Sequence, residues 1–500
     1  MNARLVLALS VSAAALWPAG CGQEDRPDPA DAAKRPRVLA DRTWPNVVLI
    51  VIDSLRPDHL GCYGYQRPTS PRIDRLAGEG ALFECVVSSS GWTLPAHATL
   101  FTGLCDSVHG CTDTDRRLHE KHYTLAERLR DTGYATAGFF SGPYLHPVFG
   151  LNQGFETYVD CTSYAELSDR TAAESGTVEG EAIWDAMHRD VTNPTVVARV
   201  RQWLHDNRRR PFFLFVHMWD VHFDFLPPPP YDTLFDPGYA GPITGAGFLV
   251  DDRINKDMPR RDLDHLIALY DGEIAWTDAH LGQLLDELAA LGLLENSLLV
   301  VTADHGTAFF EHQLKGHRNS LYDEVIRIPL LVRWPPRIPP GLRIRQQVRM
   351  IDLLPTIVDL IGAAWDYRTV MGHSLAALFS GGQLPRDDPA ISELSSMGIE
   401  LQAFRRLERK TIWHVALDKG VVFDLLADPG ELAPLTDRNA PAVVAARQDV
   451  KWSRGFLELF RARHPPAPAI SDLPKQLLEK LRSLGYVGEE AATQPEASPP

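Results

Sequence analysis

Asn46 to Ile52 reads Asn-Val-Val-Leu-Ile-Val-Ile, an unbroken apolar run followed at once by Asp53. A strand covered on both faces in a parallel sheet has this pattern, because it has no solvent side on which to alternate. Comparable runs recur at Tyr134 to Phe140, Pro211 to His217, Leu298 to Thr302 and Ile328 to Trp334. Between them lie stretches of helical period, Thr195 to His205 and Ile274 to Leu291. Strands alternating with helices predict an α/β sandwich with a mostly parallel central sheet.

After about residue 385 the runs shorten and alternate: Leu401 to Leu407, Thr411 to Ala416 and Val421 to Leu426. They predict a small antiparallel-sheet subdomain over 386–488, after a main domain over 44–385. Residues 489–500, rich in Glu, Ala and Pro, read as a disordered tail.

The N-terminus changes the picture of where the chain works. A basic start, the apolar run Leu5 to Trp17 and Pro18-Ala19-Gly20-Cys21 form an export signal over 1–21. The run is well short of the roughly 20 residues a membrane span needs. Cysteine after Ala-Gly resembles a bacterial lipobox, so Cys21 is the expected lipidation site. The expected location is the cell envelope, as a periplasm-facing lipoprotein whose only membrane attachment is that lipid. Residues 22–43, rich in Asp, Pro, Ala and Arg, read as a disordered tether.

Composition is ordinary for a globular chain of 500 residues, at 44% hydrophobic and 23% charged. A formal charge of −15 with no long basic run offers no footprint for a phosphate backbone, so nucleic acid is not an expected partner. Past Cys21 the cysteines are Cys62, Cys85, Cys105, Cys111 and Cys161. Cys105 and Cys111 are close enough in a turn-like stretch to bridge, and an odd number leaves at least one thiol unpaired within the chain.

In a parallel sheet, ligands gather beyond the carboxyl ends of the strands. Asp53 follows one strand, and Asp304-His305-Gly306 follows another. A buried carboxylate at such a place is costly unless it is paired or binds a cation, and two such ends together favour a metal. The third piece is Gly91-Trp92-Thr93-Leu94-Pro95-Ala96-His97. Thr93 ahead of Pro95 looks like a helix N-cap, and a helix N-terminus presents free N–H groups to an anion.

Taken together, these pieces resemble the sulfatase family of the alkaline phosphatase superfamily. The resemblance rests on Asn46 to Gly64, on Pro68 to Phe83 and on Phe101-Thr102-Gly103-Leu104. It continues through His217 with Asp220 and His222, Tyr270 to Glu273, Ala303 to Gly306 and Gly316-His317 to Glu324. It ends with Ile351 to Thr356, Phe423 to Leu425, Asp428 to Glu431 and Leu481 to Val487. It implies an alkaline-phosphatase-like core in which Asp53, Asp304, His305 and the nucleophile position Thr93 surround one divalent ion, with Ca²⁺, Mg²⁺, Mn²⁺ and Zn²⁺ all open. It also implies His317 as a catalytic acid facing the leaving group, and His97, Arg56, Lys315 and His222 as substrate-binding candidates. A second metal group of His217, Asp220 and His222 is a weaker expectation.

Two positions depart from the family pattern. Ser54 stands where many relatives carry a second acid. The nucleophile position holds Thr93, where relatives that carry formylglycine need Cys or Ser, and His97 stands at the motif's arginine. Oxidising a threonine side chain would give a ketone, so no formylglycine is expected. The predicted function is hydrolysis of a sulfate or phosphate ester, on a small molecule, glycan or lipid, through a covalent Thr93 intermediate. The alternatives are a phosphodiesterase, a transferase of phosphoryl head groups, and a non-catalytic envelope protein that binds anionic glycans. Loops 156–194 and 223–262 are expected to wall the pocket.

Overall fold

The structure, a computed structural model, describes residues 44–162, 190–364, 366–384 and 388–472. The export segment, Cys21, the tether and the 489–500 tail lie outside the described residues, as does most of the 156–194 loop. Among the described residues no helix is long and apolar enough to cross a membrane.

The central sheet has eight strands: β1 (Asn46–Ile52), β2 (Ala81–Phe83), β3 (Ala135–Phe140), β4 (Thr157–Asp160), β5 (Phe212–Met218), β6 (Ser297–Ala303), β7 (Leu330–Arg333) and β8 (Leu342–Ile344). Their spatial order is β8-β2-β7-β6-β1-β5-β3-β4. The longest apolar runs occupy the middle, and every residue of β1, β5 and β6 is buried. Their β-branched and aromatic side chains suit a pleated surface covered on both sides. Registers are explicit: Ile52 lies beside Ala303 of β6, and Val51 beside His217 of β5. Asp53 and Asp304, the next residues on adjacent parallel strands, are therefore delivered side by side.

The run at Ile328 to Trp334 is not one strand. Arg327–Ile328 joins a three-stranded sheet, whereas Leu330–Arg333 forms β7 and runs antiparallel to its neighbours β6 and β2. Pro329, with no N–H to give a ladder, sits at the break, and its carbonyl accepts the Thr302 hydroxyl at 2.7 Å.

Helix α1 spans Thr93–Thr102 and carries the candidate nucleophile at its start. Helix α2 spans Asn193–Asn207. Helix α3 runs from Arg260 to Ala290, beginning fourteen residues before the predicted Ile274 because Pro259 at its N-cap, not a polar cap, starts it.

The C-terminal sheet is an antiparallel meander of β9 (Ala390–Ser396), β10 (Ile399–Arg405), β11 (Arg409–His414) and β12 (Lys419–Asp424). Its last three strands match the predicted runs. The first strand and the covering helix α4 (Pro441–Arg461) are additions to the sequence expectation. Helix α4 buries Val443, Ala446, Val450, Leu457 and Phe460, a stripe of helical spacing. The meander is stitched to the loop just ahead of α1. Glu393 N–H donates to Ser89 O at 2.7 Å, the Ser392 hydroxyl donates to Ser88 O at 2.6 Å, and the Ser90 hydroxyl donates to Glu393 O at 3.2 Å. All five described cysteines are free thiols, so Cys105 and Cys111 do not bridge. The Cys105 backbone N–H faces Met371 Sδ at 3.4 Å, whereas Cys111 Sγ lies against the Arg116 carbonyl.

Candidate active site

Six buried side chains meet at the carboxyl ends of β1, β5 and β6: Asp53, Thr93, His97, His217, Asp304 and His305. Thr93 is the first residue of α1, and the N-cap is Trp92 in extended geometry with no side-chain capping bond. The Thr93 hydroxyl is therefore not used as a cap, contrary to the sequence expectation. Its Oγ1 lies 3.4 Å from Asp53 Oδ2 and 3.2 Å from His305 Nε2.

The three histidines share one hydrogen-bond pattern. His97 Nδ1 lies 2.9 Å from Thr93 O, His217 Nδ1 2.9 Å from Ser141 O, and His305 Nδ1 2.8 Å from Gly306 O. A carbonyl only accepts, so each Nδ1 carries a proton and each ring turns its Nε2 elsewhere. This is the outer support that metal-ligating histidines ordinarily have. Burial, and then the neighbouring His217, push His97 down to about 3, and burial pushes His217 down to about 4, so both rings are neutral near pH 7.

Two of these Nε2 atoms face carboxylates. His217 Nε2 is 3.3 Å from Asp53 Oδ2, and His305 Nε2 is 3.4 Å from Asp304 Oδ2. Among the described residues, His97 Nε2, His217 Nε2 and Asp304 Oδ2 have no hydrogen-bond partner. Burial raises the Asp53 carboxyl from its ordinary value. Lone-pair acceptors packed this closely without hydrogens between them repel, and buried acceptors left unpaired cost about 1–3 kcal/mol each. Cations resolve the conflict. One ligand atom from each of Asp53, Asp304 and His305 lies within 4.8 Å of the others, as does one from each of His97, His217 and Asp304. Carboxylate oxygens with imidazole nitrogens suit a divalent metal, so the residues fit the ion that the fold implies.

Of the other candidates, His317 and His222 adjoin this cluster. The His317 ring is 4.3 Å from that of His305 and 5.0 Å from that of His222, which stacks on Trp219 at 3.9 Å. His317 is only partly buried and marks the outward side. Part of the 223–262 loop also lines this side, with the Phe223 ring 5.0 Å from His317 and Phe248 5.6 Å from Phe223.

Arg56 and Lys315 are not brought to the cluster. The Arg56 guanidinium is engaged by Asp58, Glu311 and the Thr307 carbonyl, and Lys315 Nζ donates to Ile254 O at 2.6 Å. The grouping of His217, Asp220 and His222 does not form either. Asp220 accepts from the Thr192 N–H and hydroxyl, the Asn193 N–H and Trp276 Nε1, anchoring the start of α2. His217 belongs instead with Asp53, His97 and Asp304. It pairs with Val51, two residues before Asp53, and so lies on the face that Asp53 continues, a period-2 signal present in the sequence. Arg318 is a further residue that sequence reasoning missed. It lies over Trp92 at 3.9 Å from the ring centroid and bonds Asp113, Ser396 Oγ and Tyr144 Oη, which ties the His317 loop to the cap of α1 and to β9.

Comparison with known proteins identifies the family and the fold. The Sulfatase family model matches residues 45–363. Mouse steryl-sulfatase is 24% identical over 88% of this chain and 85% of its own, and choline-sulfatase of Rhizobium meliloti (strain 1021) is 26% identical over 84% and 88%. Among solved structures, the phosphonate monoester hydrolase of Agrobacterium radiobacter superposes with a TM-score of 0.66 at 22% identity, covering 84% of this chain and 96% of that one. With its mostly parallel sheet, its C-terminal antiparallel sheet and its buried acid and histidine cluster at the strand ends, the chain belongs to the Sulfatase family of ester hydrolases, within the alkaline phosphatase superfamily.

Proposed function

We propose that the protein is a metal-dependent hydrolase of phosphate or phosphonate esters, with sulfate esters as the competing substrates, and that Thr93 is its covalent nucleophile. The observation that carries this reading is the place of Thr93 Oγ1, uncapped at a helix N-terminus between Asp53 Oδ2 and His305 Nε2. Asp53, Asp304, His305 and Thr93 would hold one divalent ion, Ca²⁺, Mg²⁺, Mn²⁺ or Zn²⁺, whose chemistry is to favour the alkoxide and offset the ester's charge.

The chain's own groups account for the rest. Thr93 Oγ1 gives its proton to Asp53 Oδ2, to which it donates at 3.4 Å, and attacks the central phosphorus as the bond to the leaving oxygen breaks. The N–H groups of the first turn of α1 face the anionic oxygens, while Pro95 has none to offer. His317, on the outward side, gives its proton to the departing oxygen. Water gives a proton to His317 and attacks the same phosphorus, and the Thr93 oxygen leaves, taking back the proton held by Asp53.

Thr93 favours phosphorus over sulfur. A threonine phosphoester can be opened by water at phosphorus, whereas a threonine sulfate lacks the second hydroxyl through which a formylglycine hydrate expels sulfate. A parallel rate assay on an aryl phosphodiester, an aryl phosphonate monoester and an aryl sulfate, each with the four metals, tests this reading. Turnover of a phosphorus ester that disappears in Thr93→Ala is the expected result. Sulfate turnover alone would reverse the preference, and silence on all three would remove the hydrolase reading.

The same proposal places the enzyme in the cell envelope with Cys21 as its lipid attachment point. Labelling with a radioactive fatty acid, lost in Cys21→Ala, tests that part separately.

A further inference from the structure

The expected single ion accounts for Asp53, Thr93, Asp304 and His305, but leaves His97 and His217 unexplained. His97 is fully buried beside Phe101 and Phe215, with ring centroids at 6.2 and 5.9 Å, and its ring stands edge-on to His217 at 5.0 Å. Among the described residues His97 Nε2 and His217 Nε2 have no hydrogen-bond partner, and neither has Asp304 Oδ2 beside them, so three buried polar atoms of one cluster are left without one. One ligand atom from each of these three residues lies within 4.8 Å of the others, with His97 Nδ1 3.8 Å from Asp304 Oδ2. Bonds of about 2.0–2.5 Å from one ion to each ligand produce spacings of this size.

Charge points the same way. Neither Asp53 nor Asp304 is paired with a lysine or an arginine among the described residues, and their ion-pair neighbours are all histidines. Arg56 and Lys315, the two cations expected from the sequence to meet the substrate, are bonded elsewhere. One divalent ion would do no more than balance the two buried carboxylates. An anionic ester would then meet no excess positive charge from side chains.

We propose that His97, His217 and Asp304 form a second cation site, so that Asp304 is shared and the protein holds a two-ion centre. The inference rests on the metal reading of the Asp53, Asp304 and His305 site and extends it. Two nitrogens and one carboxylate favour an ion of borderline softness, Zn²⁺ or Mn²⁺, over Ca²⁺. In this arrangement the second ion supplies the positive charge for the ester's oxygens, at the place where the family motif has an arginine and this chain has His97. Two-ion sites of this kind hold their metals about 3.5–4 Å apart and clamp both the attacking and the departing oxygen.

The test is metal stoichiometry of the full chain by plasma mass spectrometry after dialysis against Zn²⁺ or Mn²⁺, with electron paramagnetic resonance of the Mn²⁺ form. The expected result is two ions per chain and an exchange-coupled manganese spectrum. His97→Gln and His217→Gln should each fall to one ion with an uncoupled six-line signal, and Asp304→Asn should lose both ions. One ion per chain in the wild type, unchanged by His97→Gln, would overturn the second site and leave the single-ion reading intact. No ion in the wild type would sink both. Circular dichroism shows whether each variant folds, and if His97→Gln does not, the wild-type stoichiometry and spectrum decide alone.

Discussion

Ser54 holds both strand-end aspartates at once: its hydroxyl donates to Asp53 Oδ1 at 2.7 Å and its backbone N–H to Asp304 Oδ1 at 3.2 Å. It does so from the left-handed region, with φ at 56°. Many relatives place a second acid here, and the serine substitutes orientation for charge. Ser54→Ala keeps the N–H bond and loses the hydroxyl, so ion affinity should fall about tenfold, the scale of lost outer support. Titration calorimetry with Mn²⁺ measures it, and an unchanged affinity would remove the orienting role.

Thr93→Ala should lower turnover on the order of a thousandfold or more, while the fold and the bound ion persist, because the nucleophile is gone and its surroundings remain. Thr93→Ser should retain a substantial part of the rate. Equal activity in Thr93→Ala and the wild type would exclude the covalent route.

Stripping the metal with a chelator should abolish activity and lower the melting temperature. An ion present at a hundred times its dissociation constant stabilises the folded state by about 2.7 kcal/mol. The melting shift should disappear in Asp304→Asn, which has little left to lose. A chelator that changes neither quantity contradicts the metal assignment.

Arg318→Ala removes the stack over Trp92 and the bonds to Asp113, Ser396 and Tyr144. Loss of about 2 kcal/mol is expected from these contacts. Because they tie the His317 loop to the cap of α1, the rate should fall as well, more in kcat than in KM. A variant with a lower melting temperature and full kcat would confine Arg318 to stability.

Asp106 is buried beyond the end of α1, where it accepts from Thr99 Oγ1 at 3.2 Å. Burial pushes its carboxyl up to about 8. The folded state therefore binds this proton more tightly than the unfolded chain does. The corresponding stability is full below the unfolded value near 4 and is lost as pH rises toward 8. Asp106→Asn should flatten the fall of melting temperature across that window. An identical slope in wild type and variant would show that Asp106 does not carry it.

The parts of this molecule legible in the sequence are those governed by local pattern. β1 with Asp53, β6 with Asp304-His305, and Thr93 ahead of Pro95 each announce themselves within ten residues, and the structure brings them together. Sequence alone assigns His97 to substrate contact and His217 to a different metal group, because their partnership is made across the sheet. Asp220 is misgrouped in the same way, since its bonds to Thr192 and Asn193 come from a helix start twenty-odd residues earlier in the chain. The missed β9 is polar by composition, with Ser392 and Glu393 buried through bonds to the loop before α1 and, for the Glu393 carboxylate, to the Ser107 N–H and Gln402. Helix α4 is readable from its apolar spacing after Pro441, but its many charges hide the stripe.

Because β5, β1 and β6 are consecutive in the sheet, the spacing of the ligands is that of neighbouring parallel strands, about 4.8 Å. The sheet thus acts as a ruler whose graduation matches the distance across a coordinated cation. Such a ruler has no intermediate settings, since a slip of one residue would turn His217 to the opposite face and carry Asp53 out of step with Asp304. Closing the core and assembling the chemistry are then one event. Changes in what the enzyme accepts are left to the loops around His317, where a residue can move without disturbing the scale.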